Sequence, residues 1–170
     1  MSNIWKYIKL PLVIIATFFV QVFISNNLEI FGVTPNVILV TVVIVAMWNE
    51  MWPAVICACI LGIGADFIFH FDIGLSFISY LIIAVAISYI SKKYRKDSKA
   101  AIVYITIMAT SAFAFFEYIY YGISNGALFN VFAVFKQTII EILLNIALAY
   151  ILYKVFEKSM KKRELDSFYM

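Results

Sequence analysis

Charge is what this chain has least of. Asp, Glu, Lys and Arg make up 14% of its 170 residues, whereas hydrophobic residues make up 65%. A soluble domain carries roughly a quarter charged residues and about half apolar ones. A soluble fold with so few polar side chains could not cover its own surface, but lipid tails solvate apolar side chains. The composition therefore predicts an integral membrane protein.

Residues that bind metals or perform chemistry are equally scarce. The two cysteines, Cys57 and Cys59, lie two positions apart in an apolar run, so on a helix they point about 200° apart and cannot bridge. The single histidine, His70, has no neighbouring Cys or His with which to hold zinc. The sequence contains no Gly-rich phosphate loop, no HExxH motif and no plausible Ser–His–Asp set. These observations predict no metal, no cofactor and no enzymatic activity.

Six apolar segments organise the chain into a single transmembrane domain, residues 1–170. We expect an all-α bundle, because a helix satisfies its own backbone hydrogen bonds in lipid. The second segment is short for a span and is expected to tilt little or to thin the bilayer, with Pro35 in its first turn. The predicted spans are residues 10–24, 35–48, 54–69, 75–90, 100–121 and 131–156.

The positive charges give the orientation. Six spans place the N-terminus, the loop at residues 91–99 and the C-terminal tail on one side, and every Lys and Arg except Lys136 falls on that side. Positive residues accumulate in cytoplasmic loops, so both termini are predicted to be cytoplasmic. The net charge of +3 therefore reports topology and attraction to anionic membrane lipids, and indicates no nucleic-acid partner.

Four charges, Asp66, Glu117, Lys136 and Glu141, occur at membrane depth, and the first three come from three different helices. Counting about 1.5 Å per residue from the helix ends places Asp66, Glu117 and Lys136 roughly 7 to 9 Å below the outer surface. Burying a charge in a bilayer costs about 2.5 to 3.5 kcal/mol on insertion scales, so we expect Lys136 to pair with Asp66 or Glu117. The cluster could be a static clamp, a proton- or ion-coupled transport site, or separate side chains that snorkel to the interface.

Two helical faces carry small or polar residues. Gly62 and Asp66 lie one turn apart on the third helix, where a neighbouring helix could approach closely. Gln137, Glu141 and Asn145 recur every four residues on the sixth helix and form a polar stripe. Because lipid would leave these groups unsatisfied, the stripe is expected to be an internal seam or a docking face for a partner's transmembrane helix.

Several stretches together resemble the MreD family, the rod shape-determining membrane proteins of bacteria. The first is Pro-Asn at the start of the second helix, and the next is the Gly-rich third helix that ends in an acid and an Ile-Gly turn. The others are an acidic position in the fifth helix and an Asn in the sixth, followed by a basic tail. They comprise Thr34-Pro35-Asn36, Gly62-Ile63-Gly64-Ala65-Asp66-Phe67, Ile73-Gly74-Leu75, Phe116-Glu117-Tyr118, Tyr121-Gly122 and Leu143-Leu144-Asn145-Ile146.

The resemblance implies a role in the bacterial cytoplasmic membrane. A protein of this family is expected to be a non-catalytic scaffold of the cell-elongation complex that builds lateral peptidoglycan. Its implied partners are an MreC-like single-span protein and, indirectly, an MreB-like cytoskeleton with RodA and penicillin-binding synthases. The family is also thought to share its six-helix architecture with the substrate-binding subunits of energy-coupling-factor vitamin transporters.

That likeness gives the alternative function, a substrate-capture subunit of a vitamin-type membrane transporter. Such a subunit needs an outward-facing pocket, and it often carries small residues at four-residue spacing on its first helix for docking to a transport module. The first helix here offers only Ala16 among bulky side chains. An enzyme embedded in the bilayer is a third reading, for which no nucleophile and base can be named.

Overall fold

The computed structural model describes residues 2–70, 74–91, 99–124 and 131–168, and this part of the chain contains six α-helices and no β-strand. The expectation of an all-helical chain with six helices is confirmed. Within the predicted turns and loops at residues 70–74, 91–99 and 122–130, residues 71–73, 92–98 and 125–130 lie outside the described residues, whereas residues 122–124 are helical. The helices are α1 (Ser2–Asn27), α2 (Val37–Trp48), α3 (Met51–Ala65, continued by a π-helical turn at Asp66–His70), α4 (Leu75–Ser91), α5 (Lys99–Ser124) and α6 (Val131–Phe168).

Helix α2 is the centre of the bundle. It contacts each of the other five helices, and all its residues from Val37 to Met47 are buried. Its run of Val and Ile would favour a strand in a soluble protein, but backbone groups inside a membrane must be satisfied within the segment. With 12 residues the helix is only about 18 Å long. Because protein surrounds α2, its short length need not match the lipid.

Among the described residues, four helices (α1, α3, α5 and α6) are long and apolar enough to cross a bilayer, whereas α2 and α4 are shorter apolar helices. Helix α6 is the longest, with 38 residues, or about 57 Å. Its apolar stretch ends at Lys154, and the helix continues to Phe168 through the basic tail. The chain is thus an α-helical membrane protein whose last helix extends well beyond a hydrocarbon core of about 30 Å.

The observed helix boundaries correct three local predictions. Pro35 lies before α2 rather than in its first turn, because Asn36 is the N-cap. The predicted reversal through Pro53 is shorter than expected, because α3 already begins at Met51. Pro53 fits into the first turn of α3, since the N–H that proline lacks would have no partner within the helix at that position. Helix α1 continues to Asn27, and a tight turn follows in which Ile30 and Val33 exchange backbone hydrogen bonds.

Candidate functional site

Asp66 caps the N-terminus of α4 from a neighbouring helix. Its carboxylate accepts hydrogen bonds from the backbone N–H groups of Gly74 at 2.9 Å, Ser76 at 2.8 Å and Phe77 at 3.2 Å. The side chain is 1% exposed. The first N–H groups of a helix have no partner within it and carry partial positive charge. A buried carboxylate there accepts their hydrogen bonds and balances that charge. Both oxygens of Asp66 are therefore committed to α4, a partner other than the predicted Lys136.

Gly62 lies one turn earlier on the same face and sets how closely α3 and α4 approach. A Cβ atom added to Gly62 would lie 2.6 Å from the Cα of Phe77 and 3.1 Å from the backbone oxygen of Ser76. Ala58 on the preceding turn is also completely buried. The small and acidic face of α3 is thus packed against α4 inside the bundle.

We expect Gly62→Ala to destabilise the bundle by about 1 to 3 kcal/mol, because the new methyl group meets the backbone of α4 and the two helices must separate. Gly64→Ala is the matched control, since the three atoms nearest to its added Cβ all belong to the ring of Phe18 on α1, and a ring can turn aside. Thermal unfolding of the purified variants in detergent measures the difference. An equal loss of stability in both variants would contradict the close approach at Gly62.

The N-terminus of α2 is also capped by other helices, this time deep in the bundle. Oε1 of Gln21 on α1 accepts the N–H groups of Val37 at 2.6 Å and Ile38 at 3.4 Å. Oδ1 of Asn145 on α6 accepts the N–H of Asn36 at 2.8 Å. Asn36 itself accepts the N–H of Leu39 at 2.8 Å. Each of these four donors of α2 therefore has an acceptor, and two acceptors come from distant parts of the chain.

Asn145 connects this cap to α5. Its Nδ2 donates to Oγ1 of Thr110 at 3.1 Å and to Oε1 of Glu141 at 3.4 Å. Its side chain has 0% exposure. The single side chain thus joins α2, α5 and α6, and the polar stripe of α6 points towards the interior at Asn145.

A cavity of about 620 Å³ opens beside the N-terminus of α2. It lies between α1, α5 and α6 at the end of the bundle that holds the α1–α2 turn. Tyr80 and Phe113 line its most buried wall, with ring centroids 5.1 Å apart. Its polar lining includes Gln21, Asn36, Glu117, Gln137 and Glu141.

The structure divides the predicted polar cluster into three places. Gly62 and Asp66 lie at the α3–α4 contact, Glu117 joins Gln137 and Glu141 at the cavity, and Asn145 lies buried beneath Glu141. Lys136 is exposed on α6 and does not line this cavity. Pairing of Lys136 with Glu117 stays a prediction.

Gln21 is a structural polar residue that the sequence-based prediction did not single out, whereas Asn36 entered that prediction only as part of the Thr34-Pro35-Asn36 motif. Gln21 occurs inside an otherwise apolar run, and an amide at membrane depth must find partners within the protein. That signal would have marked Gln21 as a buried residue, but nothing in the sequence shows that its partner is the start of α2.

One of three comparisons with known proteins gives a match. A family model described as rod shape-determining protein MreD matches residues 1–163 of the chain. Comparison with curated proteins and with solved structures gave no significant match. The family match covers almost the whole chain, from α1 through most of α6. The chain therefore belongs to the MreD family of rod shape-determining proteins.

Proposed function

We propose that this protein is a non-catalytic, multi-pass scaffold of the bacterial cell-elongation complex in the cytoplasmic membrane. The observation that carries the proposal is the family match over residues 1–163. In this role the bundle binds an MreC-like single-span protein and, through it, supports lateral peptidoglycan synthesis by RodA and penicillin-binding synthases beside an MreB-like cytoskeleton. The predicted orientation, with both termini in the cytoplasm, places the basic end of α6 on the cytoskeletal side.

The bundle offers two exposed aromatic strips to a partner's transmembrane helix. Phe19 and Phe23 on α1 are 75% and 68% exposed, and Phe132 and Phe135 on α6 are 77% and 63% exposed. Lipid covers such residues in an isolated protein, and a single-span partner would replace that lipid. By contrast, the face of α3 that bears Asp66 is covered by α4, so substitutions there would change stability before they changed docking.

Co-purification tests the scaffold function. We expect the tagged protein, extracted gently from its own host, to recover an MreC-like single-span protein and a RodA-type synthase, identified by mass spectrometry. The double variants Phe19→Ala/Phe23→Ala and Phe132→Ala/Phe135→Ala should then map the docking strip, with loss of the partner in one variant and retention in the other. A normal yield of the tagged protein without any elongation protein would contradict the scaffold function.

The cavity favours a second candidate, the substrate-capture subunit of a vitamin-type transporter. Such a subunit requires a pocket on the outer side, and the predicted orientation places the cavity there. In that case the same extraction should recover ATP-binding-cassette subunits instead of elongation proteins. The two outcomes are mutually exclusive in their main co-purifying proteins, so one experiment separates the candidates.

A further inference from the structure

The cavity has the size and lining of a small-molecule site. Its volume of about 620 Å³ falls within the range of about 300 to 1,000 Å³ that is typical of ligand pockets. The lining combines aromatic walls with a few convergent polar groups, which is also typical of such pockets. The scaffold function proposed above does not require this cavity.

The acidic residues in the lining have no basic counterpart there. Glu117 on α5 and Glu141 on α6 contribute carboxyl groups, while no Lys, Arg or His belongs to the lining among the side chains that the structure describes. Oε1 of Glu141 accepts a long hydrogen bond of 3.4 Å from Asn145. Within the part of the chain that the structure describes, Oε2 of Glu141 has no hydrogen-bond partner. The described lining therefore holds acceptors for a positively charged group and contributes no basic side chain to compete with it.

The aromatic lining favours an organic cation over a metal ion. Tyr80 and Phe113 form the buried wall, and Tyr118 and Tyr121 lie with Glu117 on the last turns of α5. Aromatic faces attract ammonium groups and also pack against apolar bodies. No group of three His, Cys, Asp or Glu side chains that could hold a metal occurs among the described residues.

We propose that this cavity binds a small amphipathic organic cation, whose ammonium group sits between Glu117 and Glu141 and whose apolar body packs against Tyr80 and Phe113. The polar amide of Gln137, which also lines the cavity, supplies a further hydrogen-bonding group near the ammonium. In the predicted orientation the ligand enters from the outer side of the membrane. The site would exist whether the protein is a scaffold or a transporter subunit.

Binding of labelled tryptamine to the full chain in lipid nanodiscs tests the proposal, with empty nanodiscs measuring partition into lipid. We expect saturable binding above the empty discs. Unlabelled phenethylamine should compete, whereas tryptophol, which carries a hydroxyl in place of the ammonium, should compete at least tenfold less well. Glu117→Gln and Glu141→Gln should each weaken tryptamine binding about tenfold or more, as expected for loss of a charge-assisted contact.

The control is Glu29→Gln, which removes an exposed carboxylate from the same end of the bundle, outside the cavity. It should leave tryptamine affinity within about twofold, because an exposed charge outside the site contributes little. All variants should elute as the wild type does on gel filtration. The proposal is overturned if tryptamine binds no better than to empty discs, if tryptophol competes equally, or if the Glu117→Gln/Glu141→Gln double variant retains wild-type affinity.

Discussion

Asp66→Ala should lower the free energy of unfolding by about 3 to 5 kcal/mol, the largest loss expected from a single substitution in this chain. The substitution removes the acceptor of three backbone hydrogen bonds, to Gly74, Ser76 and Phe77. Those N–H groups lie beside a buried residue, where an unsatisfied donor costs about 1 to 3 kcal/mol. Thermal unfolding in detergent should show a midpoint lower by roughly 10 °C.

Two controls separate capping from loss of charge. Asp66→Asn keeps one acceptor oxygen and should cost about half as much as Asp66→Ala, because its amide group now faces a backbone donor. Glu50→Gln changes an acid at the start of α3 whose side chain makes no capping hydrogen bond, so it should alter stability by less than about 0.5 kcal/mol. If Asp66→Ala and Glu50→Gln have equal effects, the carboxylate does not hold α4.

Asn145→Leu should cost about 2 to 4 kcal/mol, although leucine is close to asparagine in size and is far more apolar. At a lipid-facing position the substitution would raise the free energy of unfolding. The sign of the change therefore tests whether the polar stripe points inward. The reason for the loss is that Asn36 N–H and the Thr110 hydroxyl both lose their partner in the interior. Unfolding midpoints of purified protein provide the measurement.

A double-mutant cycle with Thr110→Val apportions the effect. Thr110→Val alone should cost about 1 kcal/mol, because it removes only one of the bonds that Asn145 makes. The two substitutions should be less than additive, since each removes a side of the same hydrogen bond. Strict additivity would show that Thr110 and Asn145 act independently.

Much of the architecture is predictable from the positions of the apolar runs, as particular segments show. The starts of α4 and α6 were placed at Leu75 and Val131, as observed, because turn residues and apolar runs mark them. The basic extension of α6 to Phe168 was missed, since hydropathy reports where lipid ends and not where a helix ends. Similarly, Ser2–Lys9 continues α1 beyond its apolar stretch.

The partners of the polar residues could not be predicted. The sequence shows that Asp66 is costly at membrane depth and favours its pairing with an opposite charge. In the structure, Asp66 instead accepts hydrogen bonds from backbone N–H groups at the start of α4. A search of the sequence for charged side chains does not find such partners. The same limitation hid the role of Gln21. A helix that begins below the membrane surface needs acceptors from elsewhere, and sequence spacing does not show which helices begin there.

The cap of α2 has a consequence for synthesis of the chain. The acceptor for Asn36 N–H is Asn145, which is 109 residues further along. While the ribosome is still making α3, α4 and α5, the central helix already has Gln21 but lacks this last acceptor. Docking of α6 therefore completes the hydrogen bonding at the start of α2, so the central helix reaches its full cap only after the last helix has been made.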